Sequence, residues 1–281
     1  MKRNAINFLD LKAIALCALL CFNVACSNDE SDDGLDVINP TEEGTDNGDE
    51  PTPGDTDGSN DGDGGNDQGG AENCTPANSV FNESDGLVNI EFENAVFDGD
   101  WELQSDGDNF SGDGYMVWTG AQSLNTPGTG MVSFKIQINS PGTYQFEWRT
   151  AILTGNNGTD HNDSWLRFPD ADNFFGEKDG SNSVVFPAGT GKTPNPAGAS
   201  ADGWFKVYRS GSDLDFKWNA LTNDHDGHRI YVTFDNAGEY TMEVSARSSG
   251  HAIDKFVLFK TPFSLGDAVA NENPLSTTSC D

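Results

Sequence analysis

The chain has 281 residues, 46 of them Asp or Glu against 15 Lys or Arg, for a formal net charge of −31. Phosphates would be repelled by such a chain, which argues against nucleic acid as a partner; calcium and a salty extracellular medium suit it. Nowhere does an apolar run reach the roughly 18 residues of a membrane span, so no spanning helix is predicted.

The N-terminus reads as an export segment. Lys2 and Arg3 make a basic start, and residues 13–25 form a short apolar core, with Asp10 interrupting the approach to it. The segment ends at Phe22-Asn-Val-Ala-Cys26, where small Ala25 before Cys26 resembles the lipobox of bacterial lipoproteins, although Asn23 departs from the usual leucine. By that resemblance 1–25 is a lipoprotein signal peptide and Cys26 carries the lipid; a plain secretory signal is the alternative. The acidic run Ser27-Asn-Asp-Glu-Ser-Asp-Asp33 resembles the signal that sends Bacteroidetes lipoproteins to the outer face of the outer membrane. A cell-surface location is therefore expected, with a secreted or periplasmic protein as the alternative.

Residues 26–78 read as a disordered Asp/Gly-rich tether. From 27 to 72 there are 16 acidic residues and no Lys or Arg, and such a composition cannot bury enough apolar surface to offset chain entropy. Residues 55–63 have faint calcium-loop spacing but lack the bidentate Glu of an EF-hand. Once Cys17, Cys21 and Cys26 are set aside, Cys74 and Cys280 remain, at the two edges of the folded part and in an oxidising compartment. A bridge between them is the favoured pairing if the architecture brings the ends together. It would close a loop of about 200 residues, worth up to about 5 kcal/mol in the chain-entropy model.

From residue 79 to 262 the chain reads as strands. They are expected at 87–95, 101–104, 115–119, 131–138, 143–151, 164–168, 204–209, 215–221, 229–234, 239–247 and 253–259, separated by Gly, Pro, Asn and Asp clusters. Many short strands and no amphipathic helix predict an all-β antiparallel sandwich, with 263–281 as a tail carrying Cys280. The longest piece without a strand signal, 170–202, is rich in Gly, Asn and Pro, and a loop of that length is often functional.

Asp254 stands inside the apolar run 253–259, where a carboxylate is costly unless paired or bound to a cation. Glu91 and Glu93 are the best partners. The opening Glu91-x-Glu93, the middle Gly114-Tyr115, the strand Gly142-Thr-Tyr144 ending in Arg149, and the closing Ile253-Asp254-x-x-x-Leu258 together resemble the galactose-binding-like β-sandwich, nearest to carbohydrate-binding modules of families 6 and 35. The resemblance implies a jelly roll, a structural calcium ion, and sugar bound by loops at one edge. Glu91, Glu93 and Asp254 are the expected calcium ligands, hard oxygens that suit Ca²⁺ over zinc.

Alternation separates core rings from candidate sugar platforms. Leu166 and Phe168 share one face, leaving Trp165 and Arg167 on the other; Phe205 and Val207 face inward, leaving Trp204, Lys206 and Tyr208 outward. Trp148 and Trp218 fall in phase with core residues. An exposed ring suits the C–H face of a sugar, so Trp165 and Trp204 are the expected platforms, with two rings under the long loop as the alternative. Arg149, Asp163, His161, Asn162 and Arg167 are the expected polar partners, and 223–228 forms a second polar loop. Family 6 modules commonly place a sugar-contacting asparagine two residues before the last-strand aspartate. Ala252 stands there in this chain, so either the usual sugar cleft is altered or His251 acts in its stead.

The expected function is non-catalytic polysaccharide binding by a surface lipoprotein that assists glycan capture. A jelly-roll lyase or glycoside hydrolase using His161 or His251 and Tyr208 is the alternative, and a structural adhesion protein the second. Zinc at His161, His225, Asp226 and His228 lacks any short ligand motif.

Overall fold

The computed structural model describes residues 74–107 and 109–280. The expected signal peptide, Cys26, the acidic run, the loop at 55–63 and the tether as far as residue 73 lie outside the described residues. Two sheets face each other across one hydrophobic core. In the first, Leu87–Glu91, His251–Phe259, Gly142–Ile152, His228–Phe234 and Asn173–Glu177 pair in that order, all antiparallel. In the second the order is Ser79–Asn82, Val132–Ile138, Gly238–Ser245, Asp163–Arg167 and Trp204–Tyr208. Only the edge pair Ser79–Asn82 with Val132–Ile138 runs parallel within this second set. The expected β-sandwich is the observed architecture.

Pattern dictates the layers. Along Val132–Ile138 the apolar Val132, Phe134, Ile136 and Ile138 are buried, while Ser133 between them is exposed and Lys135 and Gln137 are half-buried. His251–Phe259 is instead buried at every position but Lys255, because it lies mid-sheet and is covered on both sides. Phe146, Phe256 and Phe134 meet at its centre, with ring centroids 6.0 and 5.0 Å apart.

The differences from the expected strands are informative. The first strand stops at Glu91, and Phe92–Asn94 turns into a short 3-10 helix. The stretch 215–221 splits into Lys217–Trp218 and Leu221–Thr222. The segment 170–202 is not strandless: Asn173–Glu177 extends the first sheet, and Phe174 enters the core. Apolar Phe174 and Phe175 carried that signal, masked by the surrounding glycines and asparagines. The last residues are part of the fold. Ser264 caps the helix Leu265–Ala268 through a reciprocal bond with Asp267, Ala268 is buried, and Thr278–Cys280 pairs with Ser79–Asn82. That pairing brings Cys280 to Cys74, and the two form a disulfide with 5.2 Å between Cα atoms.

Candidate functional site

Glu91, Glu93 and Asp254 are brought to one locality: Glu91 and Asp254 lie on paired strands, and Glu93 on the 3-10 turn that follows Glu91. The loop Ser111-Gly112-Asp113 closes over them. Ser111 donates its amide to Asp254 Oδ1 (2.8 Å) and its hydroxyl to Glu91 Oε2 (2.8 Å), and the Asp113 amide donates to Glu93 Oε1 (2.9 Å). Gly112 has φ +65°, and a Cβ there would run into the Glu91 and Glu93 side chains, so only glycine lets the loop approach so closely. Two cations compensate part of the charge: Arg149 Nη1 donates to Asp254 Oδ2 (2.5 Å) and Lys255 Nζ to Glu91 Oε1 (3.1 Å). Glu93 Oε2 is buried with no hydrogen-bond partner. Burial, opposed by backbone hydrogen bonds but reinforced by Glu91 and Asp254, pushes its pKa up to about 7. Among the described residues no three acidic, His or Cys side chains already converge as a ready metal cage. The orphaned, charge-crowded Glu93 oxygen is nonetheless the kind of group that a cation satisfies.

The expected platforms are corrected by the structure. Trp165 and Trp204 point away from the main core, as alternation requires, but neither is exposed: they retain 0% and 3% of their surface. The Trp165 indole donates to Ser123 O (2.9 Å) under the 119–131 segment, and the Arg247 guanidinium lies 5.3 Å over its ring. Trp204 is covered by Arg167, 4.5 Å from its ring centre, which is itself paired with Glu243. Asp163 is buried, taking the Ser248 hydroxyl (2.5 Å) and the Arg247 guanidinium. Asn162 donates to Arg209 O (2.8 Å), and His161 Nδ1 lies 2.7 Å from Ser249 O. His251 cannot stand in for the missing asparagine. It is sealed in the core against Ser164 (2.9 Å), and burial, with Arg209 nearby, pushes its pKa down to about 3. Arg149 belongs to the acidic centre and not to these rings. The polar loop 223–228 does meet Asn162, Asp163 and Tyr208 around a cleft of about 300 Å³. His228, one of the zinc candidates, is buried between Asp226 O (2.6 Å) and Ser183 (3.0 Å). Trp148 is core, as expected, whereas Trp218 is only half-buried on a small cluster with Leu87, Val257, Phe259 and Ala268.

An aromatic cleft that was not expected lies beside the acidic centre. It has a volume of about 220 Å³, and Tyr115, Ala151, Ile152, Leu153, Leu214 and Phe216 supply its apolar walls. Tyr115 and Phe216 have ring centroids 5.0 Å apart, and Phe110 packs edge-on to Tyr115 at 5.8 Å. Asp106, Asn109 and Asp215 stand exposed at the rim. Arg149 links the two features: its guanidinium lies 5.3 Å over the Phe216 ring and donates to Asn109 Oδ1 (2.5 Å) as well as to Asp254. Tyr115 carried a signal in Gly114-Tyr115, but Phe216, which the alternation placed in a strand at 215–221 and which lies just before Lys217–Trp218, did not.

No protein-family model matches the chain, and no curated protein matches it. Among solved structures it is similar to a GH26-CBM35 β-(1,4)-mannanase from Podospora anserina, at 17% identity and TM-score 0.37, over 65% of this chain and 29% of that one. The chain thus spans less than a third of that enzyme. A family 35 carbohydrate-binding module from Clostridium thermocellum is similar at 13% identity and TM-score 0.36, over 62% of this chain and 98% of that one. So is the module CBM6cm-2 of Cellvibrio mixtus lichenase 5A, in complex with cellotriose, at 17% identity and TM-score 0.29, over 63% and 98%. The described chain is a β-sandwich similar to these modules.

Proposed function

We propose that this domain binds carbohydrate without cleaving it, in the cleft of Tyr115 and Phe216. The observation that carries this is the combination in one open cleft of an aromatic wall and a polar rim. A pyranose presents an apolar C–H face and a ring of hydroxyls; the half-buried Phe216 suits the first, backed by Tyr115, which keeps only 3% of its surface exposed, and Asp106, Asn109 and Asp215 suit the second. A cleft of about 220 Å³ suits a single sugar ring. The reading extends to the termini: lipid on Cys26 would hold the domain at the outer membrane, where it would assist polysaccharide capture.

A calcium ion held by Glu91, Glu93 and Asp254 belongs to the same reading, and the orphaned Glu93 oxygen supports it. Bound there, the ion would supply positive charge to the crowded carboxylates, and the three side chains would tie Leu87–Glu91 and its following turn to His251–Phe259. Asn109 lines the cleft and Ser111, two residues on, bonds Glu91 and Asp254, so order at the acidic centre bears on the rim of the cleft.

Affinity electrophoresis against β-glucan, mannan, xylan, polygalacturonate and alginate, with product analysis, tests the proposal. Retardation by at least one polysaccharide, no released products, and loss of retardation in a folded Phe216→Ala variant are expected. Unaltered retardation of Phe216→Ala would move the site elsewhere, and released products would make the protein an enzyme.

A further inference from the structure

Arg209 is wholly buried, yet among the described residues its ion pair is to the half-exposed Asp213, at 3.0 Å. Burying a guanidinium is costly unless its donors are used. Here the two terminal nitrogens are spent mostly on backbone carbonyls, while Nε is buried with no hydrogen-bond partner among the described residues. Nη1 donates to Thr150 O (3.1 Å), Leu214 O (3.0 Å) and Asp215 O (2.8 Å), and Nη2 to Asp213 O (2.8 Å). Three of those carbonyls belong to consecutive residues, and the next residue is Phe216. The fourth lies on Gly142–Ile152, the strand whose Ala151 and Ile152 also line the cleft and whose Ile152 amide bonds Leu214 O. Nearby bonds close the rest of the turn: the Ser210 amide donates to Asn219 Oδ1 (2.7 Å), and the Ile152 amide to Leu214 O (2.9 Å).

We propose that Arg209 is the positioning residue of the saccharide cleft: it winds residues 213–215 around its guanidinium and so sets Asp215 and Phe216 against Tyr115. This rests on the cleft being the binding site. The planar fork is what the geometry uses, because a lysine ammonium cannot reach four carbonyls on two segments at once. Arg209 itself touches no ligand.

The test compares Arg209→Lys and Asn219→Ala with Glu83→Gln as a stability control. Glu83 is a buried carboxylate that takes the amides of Gly86, Asn139 and Ser140, remote from the cleft. Each variant is titrated with the neutral polysaccharide most strongly retarded above, at a temperature where its near-ultraviolet circular dichroism is native. Arg209→Lys and Asn219→Ala are expected to weaken binding at least tenfold, and Glu83→Gln to bind like wild type at a lower melting temperature. Wild-type affinity in a folded Arg209→Lys overturns the proposal. If Arg209→Lys does not fold, wild-type affinity in Asn219→Ala overturns it, because the same turn is then not needed. Phe216→Ala separates the two levels: if it still binds, the cleft itself is wrong; if it does not but Arg209→Lys does, only the role of Arg209 falls.

Discussion

At the scale of residues, a side chain's partners decide its role more than its type does. Trp165 and Trp204 carry the aromatic surface that a sugar site needs, but both are buried with Arg247 and Arg167 over their faces, whereas Phe216, also beside a guanidinium, stays half-buried at an open cleft. Trp165→Ala and Trp204→Ala are therefore expected to destabilise the domain by about 3 to 5 kcal/mol, the cost of deleting a buried aromatic ring. Urea unfolding measures this, and a loss below about 1 kcal/mol would mean that the rings are not buried in solution. Glu93 offers a second test through pH. Its folded pKa of about 7 lies above the ordinary carboxylate range, so between the two values the folded state holds the extra proton. Without metal, stability should fall as pH rises through that window and level off above pH 7. Calcium requires the ionised carboxylate, so it should raise the melting temperature more at pH 8 than at pH 5.5 and flatten the slope. Glu147, also pushed up to about 7 by burial against the pull of Arg229, adds a slope of the same sign to every variant. The difference between wild type and Glu93→Gln in EDTA therefore isolates Glu93. Equal slopes in the two proteins would remove Glu93 from the titration, and melting curves indifferent to calcium would remove the ion.

At the scale of elements, the tail and the first strand act as one unit. Thr278–Cys280 pairs with Ser79–Asn82, Asn89 Nδ2 donates to Asn273 O and Pro274 O, and the Cys74–Cys280 bridge locks the end of the pairing. The bridged residues are 206 apart in sequence, for which the chain-entropy model allows about 5 kcal/mol. For a domain of this size that is about 10 to 20 °C in Tm. Cys74→Ser with Cys280→Ser should show this drop, and reduction of the wild type should reproduce it. A drop of less than about 2 °C would mean that the strand pairing alone holds the ends.

At the scale of the whole molecule, the charge of −31 sets which glycans approach. Asp106 and Asp215 bring the same sign to the rim of the cleft, and the Arg149 guanidinium is already committed to Asp254 and Asn109. Polygalacturonate and alginate should therefore be retarded less than the neutral polysaccharides. The gap should narrow as ionic strength rises from about 10 mM to about 150 mM, because the Debye length shrinks from about 30 to 8 Å. Stronger retardation by a uronate polymer at low salt would show that the rim charges do not govern selection.

The sequence by itself determined the sandwich, because period-2 alternation and turn clusters act locally and show in any short window. It also pointed to Glu91 and Glu93 as neighbours of Asp254, because a carboxylate in an apolar strand demands a partner; the cation that meets Asp254 is Arg149, which was expected among the polar partners of the sugar. The placement of Cys74 and Cys280 at the two edges of the domain was legible in the same way. Alternation assigned Trp165 to the correct side of its sheet, but it does not say what lies over that side. Ser123 and Arg247 cover the ring from segments distant in the chain, and only tertiary packing supplies such neighbours. The cleft was hidden for the same reason. Asp106, Tyr115, Ile152 and Phe216 come from separate segments of the chain, and the turn that aims Phe216 is wound around a buried arginine whose partners are backbone carbonyls, groups that every residue carries and no sequence pattern marks.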